Sequence, residues 1–149
     1  MKRIVVGVLL GLAILSRPIN SSAYQAQEPI ELTYEDAQEL MKIAWCEAGN
    51  QGIDGQRFVM SVVLNRVESE AFPDTIHEVI TQESQFCAAN KMKSAEITAE
   101  THLALCEIEK GNVTPKIIAF GTPKADSELQ KYFTPAFTYK DHIFYTEKH

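Results

Sequence analysis

The chain has 149 residues, 45% of them hydrophobic and 23% charged, which is a size and composition typical of one globular domain. Its formal net charge is −6 at pH 7, and no basic stripe interrupts this acidity. A nucleic-acid partner is therefore not expected, because the phosphate backbone would be repelled. Three cysteines allow at most one disulfide within the chain and leave one thiol over.

The first residues follow the pattern of a secretion signal. A basic head at 1–3 precedes an apolar run at 4–15, and small residues at 21–23 suit a cleavage site. We expect residues 1–23 to be removed and the mature protein to work outside the cytoplasm. The alternative is an uncleaved anchor, but the apolar run is shorter than the roughly 17 to 25 residues of a spanning helix. No stable membrane span is therefore expected after cleavage.

Cleavage would also make the protein more acidic. Three of the 14 basic residues and none of the 20 acidic residues lie in this leader, so its removal changes the net charge from −6 to −9. Long-range attraction to an anionic cell wall is therefore absent.

Residues 24–32 are polar and show no periodicity, so we expect a flexible lead-in before a single domain at 33–149. Thr33 and Asp36 have the spacing of a capping box, and apolar residues follow at helical spacing. The sequence therefore predicts a first helix over 34–48, closed by a glycine-containing turn at 49–52.

A second helix is predicted over 54–67, where apolar residues cover most of the circumference. Such a helix is central in the fold, and its remaining polar strip must find hydrogen-bond partners because unpaired buried polar groups are costly. Asn65 and Arg66 belong to this strip or border it. We expect both to fasten neighbouring loops.

The rest of the chain predicts a mainly helical α+β fold. A short helix at 76–81 is capped by Asp74 or Thr75, and a polar loop follows at 82–90. A last helix at about 95–109 is predicted to bury three small or apolar residues, and two short apolar runs then predict a small antiparallel β element near the C-terminus. The three residues are Ala99, Leu103 and Cys106, and the two runs span 117–120 and 143–145.

Glu47 is the first candidate for chemistry. It falls in the last turn of the first helix, on the edge of the apolar stripe. Partial desolvation and the negative end of the helix dipole both favour its protonated form, which suits a general acid. The alternative is a solvated residue at a helix end without function.

Several spaced motifs lie in one order around this glutamate. They are EAG at 47–49, GQ at 55–56, VVLNRV at 62–67, FPDTI at 72–76, VI at 79–80, Gln82, Phe86 and, more weakly, DHIF at 141–144. Together they resemble the bacterial cell wall hydrolases of the spore cortex-lytic, SleB-like type, over about residues 38–90. The chain departs from that family by lacking its Arg-Gly-Glu run after the Glu-Ala pair and by having Trp45 and Cys46 where Tyr-Ala is common.

The resemblance implies a lysozyme-like catalytic domain that cleaves peptidoglycan glycan strands between N-acetylmuramic acid and N-acetylglucosamine. Many members of the family are lytic transglycosylases with one catalytic glutamate, and this role falls on Glu47. It also implies substrate-binding roles for Gln82, Phe86, Asn65 and His142. No metal or cofactor is needed, because the nucleophile is the C6 hydroxyl of the substrate. We expect a secreted, wall-associated monomer.

Other interpretations remain open at this stage. Cys46 with His142 could form a cysteine peptidase or amidase, although the end of a helix disfavours a thiolate. A non-catalytic wall-binding module could keep the same fold. A zinc site and a second catalytic carboxylate are both possible, although spacing singles out neither. The zinc ligands would be His77, Cys87, His102 and Cys106, and the candidate carboxylates are Glu78, Glu83 and Asp141.

Overall fold

The structure is a computed structural model that describes residues 28–83, 85–86 and 89–148. The expected secretion signal at 1–23 lies outside these residues. The helices are α1 (Tyr34–Ala48), α2 (Gly52–Glu68), α3 (Ile76–Thr81), α4 (Ala89–Lys93), α5 (Ala99–Glu109) and α6 (Asp126–Leu129), and the strands are β1 (Ala119–Gly121), β2 (Phe133–Tyr139) and β3 (His142–Glu147).

The predicted start of α1 is confirmed. The Thr33 hydroxyl oxygen accepts the backbone N–H of Asp36, and the same hydroxyl donates to the Asp36 carboxylate at 2.8 Å. These bonds satisfy one of the free N–H groups that every helix start exposes. The buried face of α1 is Leu40, Met41, Ile43, Ala44 and Ala48.

The second helix is the centre of the domain, as its sequence predicts. It contacts α1, α3, α5 and β1, and its apolar residues are buried on several sides. Burial of this kind is the main favourable contribution to folding. The fully buried apolar residues of α2 are Val59, Met60, Val62 and Val63.

The polar strip of α2 fastens the chain that leads into β1. The Asn65 amide donates to the carbonyls of Thr114 and Ile117, both at 2.8 Å. Arg66 Nε donates to the Ile118 carbonyl at 2.7 Å. The expectation that Asn65 and Arg66 hold neighbouring loops is confirmed, and the segment at 114–118 is fixed against α2.

The prediction for the last helix is wrong in its start and in its buried face. The helix begins at Ala99 with Thr98 as its cap, and Leu103 is 52% exposed while Cys106 is also exposed. The hydroxyl of buried Thr101 donates to the Gln56 side-chain oxygen at 2.7 Å. This bond, together with the large apolar side chains of Leu105 and Ile108, favours burial of the neighbouring face of the helix. The buried face is Thr101, Ala104, Leu105 and Ile108.

The sheet has three antiparallel strands in the order β1-β3-β2. The predicted pairing of the two apolar runs is confirmed, since Phe120 pairs with Phe144. The sequence did not predict β2, because Pro135 interrupts its pattern and most of its residues are exposed. Proline is tolerated there because β2 is an edge strand with an irregularity between Pro135 and Phe137. Residues predicted as one loop at 82–90 also contain the start of α4.

Two further features concern the expected lead-in and the question of a membrane span. Part of the expected lead-in is attached to it, since the Ile30 N–H donates to the Glu109 carbonyl at 3.0 Å and Leu32 packs against the core. Within the described ranges, no helix has the length and apolar character needed to cross a membrane.

Replacing Arg66 by lysine should destabilise the fold while the charge is kept. The Arg66 side chain is 4% exposed, and its guanidinium lies 4.9 Å from the centre of the Phe72 ring and 5.0 Å from that of Phe86. Lysine lacks both the Nε donor and the planar group, so we expect the free energy of unfolding to fall by about 2 kcal/mol. Urea denaturation measures this change.

The matched control is Arg57→Lys in the same helix. Arg57 also lies over a phenylalanine ring, that of Phe58, but its side chain is partly exposed. It should therefore lose less stability than Arg66→Lys does. Equal losses in the two variants would contradict the importance of burial at Arg66.

Candidate active site

A groove of about 340 Å³ lies between the C-terminal end of α1 and the sheet. Glu47 enters it from the last turn of α1, and His142 enters it as the first residue of β3. The loop after α3, the short helix α4 and strand β1 complete the walls. The lining residues are Glu47, Gln85, Phe86, Lys91, Phe120, Gly121, Thr122 and His142.

Glu47 is half-buried in this groove. It is the single carboxylate among the described residues that line the groove. The residues outside the described ranges contain no aspartate or glutamate at all. The groove therefore offers one carboxylic acid for proton transfer.

His142 is buried, with 8% of its surface exposed. Its Nδ1 has no hydrogen-bond partner within the described part of the chain, and its ring centre lies 5.2 Å from that of Phe120. Burial lowers the pKa of His142 below its ordinary value of 6.5, while the carboxylates of Glu47 and Asp141 oppose this shift. The imidazole is therefore neutral at pH 7.

Two phenylalanines form the apolar part of the groove. The centres of the Phe86 and Phe120 rings lie 6.1 Å apart, and each ring also contacts a second residue. The Arg66 guanidinium lies over the Phe86 ring, and the centre of the Phe144 ring lies 5.9 Å from that of Phe120. Flat apolar faces beside polar groups are suited to binding sugar rings.

The structure brings two of the four predicted binding residues to Glu47, namely Phe86 and His142. Asn65 is not among the groove-lining residues, and its amide donates to two backbone carbonyls. Gln82 caps the end of α3 and does not line the groove either. The side-chain oxygen of Gln82 is buried and has no partner within the described ranges.

Sequence reasoning missed several lining residues. Phe120, Gly121 and Thr122 come from β1 and the residue after it, and only the pairing of β1 with β3 places them beside Glu47. Lys91 is the one basic side chain among the described residues of the groove. Nothing in its local sequence distinguishes it from a surface lysine. Gln85 had a weaker signal, its place in the polar loop after α3.

The alternative chemistries receive no support from the described residues. Cys46 is half-buried but does not line the groove that contains His142. His77 contacts Glu39 at 2.7 Å, and His102 is exposed on α5. Cys87, one of the considered zinc ligands, lies outside the described ranges. Within those ranges no group of three or more His, Cys, Asp or Glu side chains could hold a metal ion.

Solved structures share this fold. The catalytic domain of the Bacillus cereus SleB protein matches with a TM-score of 0.68 and 22% identity, covering 85% of this chain and 100% of that one. The catalytic domain of the germination-specific lytic transglycosylase SleB from Bacillus anthracis matches with a TM-score of 0.66 and 24% identity, covering 80% and 100%. The protein therefore has the fold of a SleB catalytic domain.

A family model described as Cell Wall Hydrolase matches residues 50–145, which is more than half of the chain. The chain belongs to this family of cell wall hydrolases. A search of curated protein sequences gives no significant match. The expected SleB-like family membership and fold class are thus confirmed, while Glu47 lies just before the matched range.

The environment of His142 predicts an unusual titration. Its imidazole should titrate below pH 6.5, whereas that of His77 should titrate above it, because a hydrogen bond to Glu39 raises the pKa of His77. NMR titration of the imidazole signals measures both groups in one sample, with His→Gln variants for assignment.

The same shift has a consequence for stability. The folded-state pKa of His142 is lower than its unfolded value, so the unfolded chain binds this proton more readily between the two values. The contribution of His142 to the free energy of unfolding is complete above pH 6.5 and decreases below it. A His142 midpoint at or above that of His77 would contradict the burial of this ring.

Proposed function

We propose that the protein cleaves the glycan strands of peptidoglycan between N-acetylmuramic acid and N-acetylglucosamine, as a lytic transglycosylase in which Glu47 is the acid and then the base. One observation carries this proposal: Glu47 is the single carboxylate among the described residues of the groove, and the undescribed residues contain no other acid. A reaction that needs only one carboxylate fits this site.

The reaction begins with protonated Glu47. Its proton passes to the glycosidic oxygen as the bond from that oxygen to C1 of the muramic residue breaks. The C6 hydroxyl of the same residue attacks C1 and gives its proton to the Glu47 carboxylate. A 1,6-anhydro ring forms, and Glu47 returns to its protonated state.

The other side chains bind and orient the strand. Phe86 and Phe120 offer apolar surface to the sugars, and the Gln85 amide can donate to and accept from acetamido groups. The His142 ring also lines the groove, and its Nδ1 is buried with no hydrogen-bond partner among the described residues. Burial lowers the pKa of His142, so its imidazole is neutral at pH 7.

Hydrolysis is the competing reaction, and it requires a second carboxylate about 5 to 9.5 Å from the first. Glu78 and Glu83 are exposed and do not line the groove. The Asp141 carboxylate accepts a hydrogen bond from Gln51 at 2.9 Å and does not line the groove either. These positions favour the substrate hydroxyl over an activated water as the nucleophile.

The description of one solved structure supports this proposal. The Bacillus anthracis domain of the same fold is described as a lytic transglycosylase. We further propose that the protein acts outside the cytoplasm on the cell wall after removal of residues 1–23. N-terminal sequencing of protein recovered from the culture medium tests this location.

Replacing Glu47 by glutamine should abolish cleavage and leave the fold intact. Glutamine has nearly the same shape but no acidic proton, so we expect the rate of fragment release to fall by about 10² to 10⁴-fold. The measurement is mass spectrometry of the soluble fragments released from purified peptidoglycan and from spore cortex.

The matched control is Glu35→Gln, which changes an exposed glutamate at the other end of α1. It should release fragments as the wild type does, and they should carry 1,6-anhydromuramic ends. Reducing ends would identify a hydrolase and overturn the transglycosylase assignment. If the wild type releases no soluble fragments, a non-catalytic binding module is favoured instead.

A further inference from the structure

Gln51 connects two turns that come from distant parts of the sequence. Only 2% of its surface is exposed. Its Nε2 donates to the Asp141 carboxylate at 2.9 Å, and its Oε1 accepts the Asp141 backbone N–H at 3.2 Å. Lys140 Nζ donates to the Gln51 carbonyl at 2.7 Å. Three hydrogen bonds thus join the α1–α2 turn to the β2–β3 turn.

Each of these turns is adjacent to one wall of the groove. The α1–α2 turn directly follows the helix turn that carries Glu47, and Asp141 directly precedes His142. The two walls belong to separate elements of the fold, a helix end and a sheet. The bonds of Gln51 therefore link the backbone beside Glu47 to the backbone beside His142.

Gly55 provides the space for this link. A Cβ atom at position 55 would overlap Cβ of Gln51 and lie 3.4 Å from the Tyr139 ring. Glycine within a helix costs about 1 kcal/mol relative to alanine, so its presence in α2 needs a reason. The close approach of the Gln51 Cβ atom and of the Tyr139 ring is that reason.

We propose that Gln51 is a positioning residue that sets the separation of the Glu47 carboxylate and the His142 imidazole across the groove. An amide suits this task because it donates to the Asp141 carboxylate and accepts from the Asp141 N–H at once. A carboxylate at position 51 would repel Asp141, and an alanine would make neither bond. The effect of Gln51 on catalysis rests on the function proposed above, but its effect on geometry does not.

The first test compares Gln51→Ala with Gln56→Ala. Gln56 is also a buried glutamine, but its hydrogen bond joins α2 to Thr101 of α5, away from the groove. We expect both variants to lose stability in urea denaturation. Only Gln51→Ala should move the NMR signals and the titration midpoint of the His142 imidazole. It should also lower kcat by about tenfold or more with little change in KM, since misplacement of a catalytic group affects turnover.

The second test exchanges donor and acceptor. Gln51→Glu alone should weaken the link, because two carboxylates then face each other. The double variant Gln51→Glu with Asp141→Asn restores a donor opposite an acceptor without changing the net charge of the wild type. We expect the double variant to recover the His142 signals and most of kcat.

The third test is Gly55→Ala, which leaves Gln51 in place but occupies its space. Alanine normally stabilises a helix interior, so a loss of stability together with moved His142 signals would support the proposal. Unmoved His142 signals in Gln51→Ala, or equal movement in Gln56→Ala, would overturn it. If the wild type releases no fragments, the proposed function fails, and the NMR signals still decide the role of Gln51.

Discussion

The burial of the Arg66 guanidinium is the constraint on which the groove depends. A charged group inside a domain is tolerated only when its hydrogen bonds and neighbours compensate for lost water. Here part of the compensation comes from the Ile118 carbonyl and from the rings of Phe72 and Phe86, while the buried Nη1 has no hydrogen-bond partner among the described residues. Desolvation lowers the pKa of Arg66 to about 10, so the group keeps its charge at neutral pH. Because Ile118 leads into β1, one side chain of α2 fixes both the sheet and Phe86 beside Glu47.

The electrostatics of the groove follow from this packing. His142 is neutral because the aromatic side chains around it exclude water, so Lys91 is the one cationic side chain among the described residues of the groove. The hydrophobic interior thus contributes to the chemistry of the site as well as to the stability of the fold.

The sequence predicted well those elements that local signals determine. The bounds of α1 and α3 follow from capping threonines and helical spacing, and α2 follows from its apolar circumference. The buried face of α5 was missed, because two stripes compete along that helix, and the stripe that is buried includes Thr101, whose hydroxyl donates to the Gln56 side-chain oxygen. Within the site, Phe86 and His142 were predicted from the resemblance. Phe120 and Gly121 were not, because they reach Glu47 only through the pairing of β1 with β3.

The edges of the small sheet have a consequence for the protein in solution. Exposed strand edges can pair with those of other molecules and cause aggregation. In this sheet β1 has only three residues, and β2 carries Pro135 and an irregular register next to it. Both edges are therefore poor templates for a further strand. A sheet so protected can persist at high local concentration without forming intermolecular β-structure.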